Sequence, residues 1–488
     1  MPLHIPLDNS YARLPARFFA PCQPTVVARP GLVRVNGSLA ELLGIDPAAL
    51  ATEEGVAVLA GNRLPDGAEP IALAYAGHQF GHFVPQLGDG RAILMGEVVA
   101  RDGKRRDLQW KGSGRTPFSR GGDGRAALGP VLREYVVSEA MHVLGVPTTR
   151  ALAAVTTGES VMREGPLPGA ILLRVASSHL RVGTFQYFAS RGDAEAVKTL
   201  ADYAIARHYP AAAETSQPYR ALLEGVIERQ AALVAGWVSL GFIHGVMNTD
   251  NTSISGETID YGPCAFIDAF RPQAVFSAID RNGRYAYGNQ PHMAAWNLAR
   301  LAETLLPLLG ESEGEAIAVA HGLLENFGGQ FESAHLEVMS SKLGLATAAE
   351  GDRELIHSLM GHMAEASADF TLTFRTLAGA VEDEAPFREV LSAAPRIGEW
   401  LDRWRVRLAV EPLATTERVA GMRAVNPLYI ARNHQVEAVI QAGLRGDFGP
   451  FATLNEVLAR PFDEQPGMER FALAPKSEER VLQTFCGT

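Results

Sequence analysis

The sequence predicts an α+β chain of two lobes, and three observations carry that expectation. Strand-like runs with one inserted helix fill the first half, helical periodicity takes over after Arg181, and no alternating βαβ pattern occurs. The 488 residues are 47% hydrophobic and 20% charged, ample apolar material for such a core.

Residues 1–70 mix short apolar pieces with prolines and one expected helix over 38–43 behind Asn36-Gly37, and read as an N-terminal extension wrapped on a larger body. Residues 71–180 form the β-rich lobe. In it AILMGEVVA, from Ala92, and RRDLQWK, ending at Lys111, are strands joined through Asp102-Gly103, and Asp-Gly between β-compatible runs is a strong hairpin signal. The loop GSGRTPFSRGGDGRAALG follows, and then GPVLREYVVSEAMHVLG. There Leu132, Tyr135, Val136, Val143 and Leu144 share one helical face, Pro130 sits near the first turn, and Gly145 and Pro147 stop the helix. Glu134 falls in its first half. RALAAVTT and GAILLRVAS are two more strands, with their turn expected across Gly158-Glu159-Ser160.

Residues 181–300 form the start of the helical lobe: DAEAVKTLADYAIARHY and YRALLEGVIERQAALVAGWVSLGF carry i, i+3, i+4 apolar spacing. The second runs into a short polar loop, HGVMNTDN, flanked by strand-like pieces. Residues 301–488 complete a helical C-terminal region with a cysteine-containing tail.

Composition excludes several classes. A net charge of −11 argues against general nucleic-acid binding, because basic residues neutralising phosphates supply most of that affinity. No apolar run reaches the roughly 18 residues of a membrane span. Prolines and charges interrupt the N-terminal stretch, so no secretory signal is expected and a bacterial cytoplasmic location is. Cys22, Cys264 and Cys486 are far apart and form no CxxC, which disfavours a structural zinc site or disulfide framework. His78 and His82 are four apart but lack the glutamate of a zinc helix and enclose Gly81, so they read as loop-positioning residues. Glycine is concentrated: twelve of 48 fall between Gly77 and Gly129, with seven Arg and two Lys against five acidic residues, a basic window in an acidic chain.

The order of parts in and after that window points to nucleotide chemistry. Gly88-Asp89-Gly90-Arg91 precedes a strand, a tight turn, a second strand ending in Lys111, and a helix bearing Glu134. Protein kinases have this order: glycine-rich loop, strand, strand with the phosphate-binding lysine, helix with its glutamate partner. A triphosphate needs close backbone N–H groups, which glycine permits, and a cation whose position a carboxylate holds. Taken singly, each element reads more simply as a plain turn or a solvated charge. Downstream, residues 244–251 follow a long helix as the kinase loop HRDxxxxN does, and Asp260-Tyr261-Gly262 stands where DFG would. Asn251 and Asp260 are the two oxygen ligands such a site offers to Mg²⁺. The kinase base position is Val246, which cannot accept a proton, and a carboxylate appears instead at Asp250. The site has therefore either lost phosphotransfer or rearranged its chemistry.

Several long strings in order, YAGHQFGHFVPQLGDGRA, LQWKGSGRTPFSRGGDGRA, HGVMNTDN with DYGPCAF, YGNQPHMAAWNLARLA and NPLYIARNHQVEAVI, resemble the selenoprotein O (YdiU) family over nearly the whole chain. The resemblance implies a protein-kinase-like two-lobed fold and a protein adenylyltransferase, which moves AMP from ATP to Ser, Thr or Tyr hydroxyls of other proteins and releases pyrophosphate. It implies a nucleotide flipped so that the α-phosphorus faces the acceptor. Residue by residue, it implies Gly88, Gly90 and Arg91 in the nucleotide loop, Lys111 on the phosphates with Glu134 orienting it, and Asp123 and Gly124 lining the nucleotide site. Arg174 and Arg181 would supply further nucleotide contacts. Asp250 would be the proton acceptor, with Asn251 and Asp260 holding Mg²⁺ or Mn²⁺ and Asp260 also counted among the nucleotide-binding residues. Cys486 matches the position where family members carry cysteine or selenocysteine, which suggests redox gating with Cys264 as the partner of interest; an inert tail cysteine is the alternative.

Three other readings stand beside this one: UMP transfer from UTP with Mn²⁺, a nucleotide-binding pseudokinase scaffold, motivated by Val246, and ordinary phosphotransfer to a protein or small molecule despite Val246. Replacing Lys111, Asp250 or Asp260 by alanine is expected to abolish activity with the fold intact.

Overall fold

The computed structural model describes residues 3–485, so the redox candidate Cys486 lies outside the described residues. In chain order the strands are β1 (Phe19–Pro21), β2 (Gly31–Val35), β3 (Ile71–Leu73), β4 (Gly77–Gln79), β5 (His82–Val84), β6 (Ala92–Val99), β7 (Arg105–Lys111), β8 (Ala126–Ala127), β9 (Arg150–Met162), β10 (Pro166–Ala176), β11 (Phe242–Ile243) and β12 (Ala265–Phe266). Eight of them form one antiparallel sheet in the order β1-β3-β6-β7-β10-β9-β2, with β8 also pairing β10. The N-terminal segment thus supplies both outer strands. β4 with β5, and β11 with β12, form separate two-stranded pairs.

Side chains alternate across a strand, and that period gives this sheet two different faces. Leu108 and Trp110 of β7, and Ile171, Leu173 and Val175 of β10, enter a core closed by α1 (Gly37–Leu42), α2 (Pro47–Leu50) and α3 (Glu53–Leu59). The Trp110 indole donates to the Val58 carbonyl at 2.9 Å, fixing α3 to the sheet. Leu94 and Leu172 belong to the opposite core, where α4 (Leu128–Val143) packs. The intervening Gln109, Lys111 and Arg174 share that side, so the face toward α4 carries polar groups beside apolar ones, whereas the other face is apolar.

α4 is held from several directions. Glu139 accepts from the Arg150 guanidinium at 2.6 and 2.8 Å and from the Asn36 amide at 2.7 Å. Helices α5 (Val182–Ala189), α6 (Ala194–His208), α7 (Pro218–Ser239), α8 (Gln290–Leu309) and α9 (Glu313–Lys342) follow the sheet. Next, α10 (Asp352–Ala366), α11 (Phe370–Gly379), α12 (Ala385–Val390), α13 (Ile397–Ala409) and α14 (Thr415–Val425) enclose a second helical core around Trp400 and Trp404. Finally α15 (Asn433–Leu444) and α16 (Gly449–Leu458) return to the outer side of α4, where Tyr135 meets Phe451 edge-to-face at 5.3 Å. The architecture is mixed α/β, with an antiparallel sheet and many helices. Among the described residues no helix is long and apolar enough to cross a membrane.

One local expectation needs correction. β9 runs through Gly158-Glu159-Ser160, and the chain reverses only after Met162. The pairing register slips opposite Gly169, where Thr156 faces Ala170 and Ser160 faces Pro168, so the Gly-Glu-Ser signal marks a bulge.

Lys342, at the end of α9, carries a testable consequence of this packing. Its side chain is buried against the Phe374 ring, with Nζ 4.5 Å from the centroid, and Nζ has no hydrogen bond among the described residues. Burial pushes the amine down to about 7. Between pH 7 and the ordinary lysine range the unfolded chain then binds more protons than the folded one, so stability rises with pH across that window. Below it the penalty is complete. Lys342→Met is expected to stabilise by about 2 kcal/mol at pH 7, with the gain shrinking toward pH 10. Thermal melts of both proteins at pH 7 and 10 check this; a gain independent of pH would exclude the buried charge as its source.

Candidate active site

The glycine turn before β6 is built by close approach. Gly88 has φ 68°, and a Cβ there would lie 2.2 Å from the Phe118 ring. The loop after β7 is fastened over the turn, with Thr116 Oγ1 donating to the Asp89 carbonyl at 2.6 Å and Ser119 Oγ to the Gly90 carbonyl. Arg91, Arg115 and Arg120 line the resulting cavity, and their guanidinium groups have no ion-pair or hydrogen-bond partner among the described residues. Asp123, by contrast, is paired, with Arg163 at 2.9 Å, and accepts from the Arg125 N–H.

Below the turn, this face of the sheet meets α4 and the segment 260–262. Lys111 Nζ donates to Glu134 Oε2 and to Asp260 Oδ1, each at 2.6 Å. Arg174 donates to the same Asp260 oxygen at 2.6 Å, to Glu134 Oε1 at 3.2 Å and to Gln109 Oε1 at 2.6 Å. Arg181 donates to Asp260 Oδ2 at 2.9 Å and to the Asp250 carbonyl at 2.7 Å. Three cations therefore converge on one carboxylate. Burial alone would raise the Asp260 carboxyl, but Lys111, Arg174 and Arg181 outweigh it and hold the group well below the ordinary range. Asp260 also adopts φ 64°, a left-handed conformation that a non-glycine residue keeps only when its surroundings enforce it.

The β11 and β12 pairing brings residues 244–251 beside 260–262. His244 helps to lock them, its Nε2–H donating to the Ile259 carbonyl at 2.9 Å while its backbone N–H donates to Gln290. The β4–β5 hairpin lies across the loop, where the His78 N–H donates to Thr249 Oγ1 at 2.7 Å and Gln79 Nε2 donates to Asp250 Oδ2 at 3.4 Å. His78 and His82 thus sit on paired strands. Gly77 is required by this approach, since a Cβ there would lie 2.5 Å from Asp250 Oδ1. That oxygen is buried and has no hydrogen-bond partner among the described residues. Burial pushes the Asp250 carboxyl up to about 6 against the pull of Arg181.

The structure brings Gly88, Gly90, Arg91, Lys111, Asp123, Gly124, Glu134, Arg174, Arg181, Asp250, Asn251 and Asp260 to the wall of one cavity of about 920 Å³. Val246 lines it as well. The distances also alter the expected division of labour, because Lys111, Arg174 and Arg181 are partners of Asp260 as well as candidates for phosphates. Sequence reasoning missed Tyr75, Asp89 and Gln109. The Arg181 guanidinium stacks 4.6 Å from the centre of the Tyr75 ring, and Asp89 Oδ2 accepts from the Leu73 N–H and the Gln109 amide, both at 3.1 Å. Burial pushes the Asp89 carboxyl up to about 6, with Arg181 opposing. Asp89 was visible inside the glycine turn; nothing in the local pattern of Tyr75 or Gln109 marked them.

Among the described residues no group of three or more His, Cys, Asp or Glu could hold a metal ion unaided. The donor set is that of a cation bound together with phosphates. Asn251 Nδ2 donates to the Val246 carbonyl at 3.0 Å, which leaves its Oδ1 for a hard cation, and Asp260 supplies a carboxylate. Cys264 is buried four residues beyond Asp260.

Comparison with known proteins bears on the identity of this cavity. A family profile described as "Protein adenylyltransferase SelO" matches residues 3–459. Proteins named "Protein nucleotidyltransferase YdiU" are similar over their full lengths: one from Bradyrhizobium sp. strain BTAi1 is 60% identical, covering 100% of both chains. Another, from Methylorubrum populi, is 62% identical over 99% of each, and one from Rhodopseudomonas palustris strain BisB5 is 60% identical over 100% of each.

Proposed function

The chain belongs to the SelO protein adenylyltransferase family and is a protein nucleotidyltransferase, and from that premise we propose that it moves AMP from ATP to Ser, Thr or Tyr hydroxyls of other proteins. It does so with a kinase-like two-lobed arrangement, residues 71–180 holding the nucleotide and 181–300 carrying the proton acceptor. The observation that supports this most is the Asp250 carboxylate on the wall of the same cavity as Lys111, Arg174 and Arg181.

The acceptor hydroxyl oxygen attacks the α-phosphorus, and its bond to phosphorus forms as the bond from that phosphorus to the bridging oxygen of pyrophosphate breaks. The electron pair leaves with pyrophosphate, and the hydroxyl proton passes to the Asp250 carboxylate. Lys111, Arg174 and Arg181, with Arg91 at the turn, face the negative charge that gathers on the departing group. Asn251 and Asp260 would hold Mg²⁺ or Mn²⁺, which supplies charge neutralisation on the phosphates when bound. Val246, in the place of the kinase base, disfavours attack at the γ-phosphorus.

Incubating the protein and acceptor proteins with Mg²⁺ and ATP labelled at either the α or the γ position tests the reading. Covalent transfer of the α label alone is expected. Transfer of the γ label overturns the proposal, and faster labelling from UTP with Mn²⁺ than from ATP would change the nucleotide while keeping the reaction.

A further inference from the structure

Asn248 stands two residues before Asp250, lines the same cavity, and is 3% exposed. Its amide has one permitted orientation. The Phe80 N–H can only donate, and it reaches one side-chain atom at 3.0 Å, so that atom is the carbonyl oxygen Oδ1. The Tyr285 hydroxyl donates to the same oxygen at 2.7 Å. Both acceptor positions are thereby filled. The other end of the planar amide is the NH₂ group, and Nδ2 has no hydrogen-bond partner among the described residues.

The surroundings hold this arrangement firmly. The Asn248 carbonyl accepts from the Asn251 N–H at 2.9 Å and from Thr252 Oγ1 at 3.1 Å. Phe80 is kept at φ 51°, a conformation that persists only where neighbours over-determine it. An amide fixed by two donors at its oxygen, and left without a protein partner at its nitrogen in the wall of the cavity, is a prepared donor.

We infer that Asn248 is a catalytic residue, its Nδ2 donating a hydrogen bond to a non-bridging oxygen of the phosphoryl group being transferred. The inference rests on the reading of the cavity as a nucleotidyl-transfer site. Of the two ligand oxygens within the chemistry, the attacking hydroxyl is the wrong recipient, because a donor there withdraws the electron density that attack requires. In the proposed reaction the Asp250 carboxylate already serves that hydroxyl by taking its proton. A donor on the phosphoryl oxygen instead stabilises charge that grows in the transition state. Asn248 exchanges no atom; the bonds made and broken are those of the transfer itself.

Asn248→Asp keeps an oxygen for Phe80 and Tyr285 and replaces only the donor, whereas Asn248→Ala removes both ends. Each is expected to lower kcat by about 100-fold or more, the usual loss for one such donor, with the KM for Mg·ATP of the alanine variant within threefold of wild type. The melting temperature of Asn248→Asp should stay within a few degrees of wild type. The two diastereomers of the α-phosphorothioate analogue of ATP give a readout that a merely structural role would not move. At least one should react more slowly than ATP with wild type even in Mn²⁺, and that deficit should shrink in Asn248→Ala. A kcat within threefold of wild type in either variant, or an unchanged deficit, overturns the inference. A wild-type protein that transfers no nucleotide defeats the parent reading; an active wild type matched by Asn248→Ala defeats this inference alone.

Discussion

Asp260→Asn is expected to reduce nucleotidyl transfer by at least about 10³-fold and also to destabilise the fold by roughly 2–3 kcal/mol. The sequence alone treats this position as a metal ligand that can be changed with the fold intact. The structure makes it the shared anion of Lys111, Arg174 and Arg181, at 2.6, 2.6 and 2.9 Å. Arg174 is 1% exposed and cannot recover its lost partner from water. Removing one partner of a buried pair usually costs about 3–5 kcal/mol, and the expected loss is smaller because Glu134 still pairs with Lys111 and Arg174. Thermal melts and initial rates measured together check both effects. Wild-type stability in the variant would show that the cluster does not depend on Asp260, and retained transfer would remove the metal assignment.

Asp250→Asn should separate chemistry from structure. Transfer is expected to fall by about 10³-fold, within the range for loss of a general base, while nucleotide affinity stays within about threefold. The substitution preserves shape, so the close approach of Gly77 and the bond from Gln79 can persist. Among the described residues Oδ1 takes part in no hydrogen bond, and no cation donates to the Asp250 side chain as three do to Asp260. Initial rates with α-labelled ATP and binding of a fluorescent nucleotide analogue give the two readouts. Transfer within tenfold of wild type would assign the proton to another acceptor. Loss of nucleotide binding in parallel would make Asp250 a binding residue rather than the base.

These two carboxylates illustrate how far a linear reading reaches. Alternation in RRDLQWK is enough to set Gln109 and Lys111 on the face opposite Leu108 and Trp110, because it is a local property of an extended chain, whereas only the pairing of β7 with β10 puts Arg174 on the face of Lys111. Likewise the helical spacing of GPVLREYVVSEAMHVLG places Glu134 on a helix that the structure begins at Leu128. Gly158-Glu159-Ser160 misled for a matching reason: a left-handed glycine serves a turn and a bulge equally well, and only the partner strand distinguishes them.

By itself, then, the sequence determined the order of the elements, the faces of the strands, the family, and which residue types stand near the cavity. Tertiary structure alone decided that Lys111, Arg174 and Arg181 share Asp260, that Asp250 keeps one oxygen without a partner, and that Phe80 and Tyr285 orient the Asn248 amide. The reason is range. Propensity and periodicity act over one turn or one strand, whereas these contacts join residues 37 to 168 positions apart and exist only once the sheet, α4 and the β4–β5 hairpin have closed around the loop.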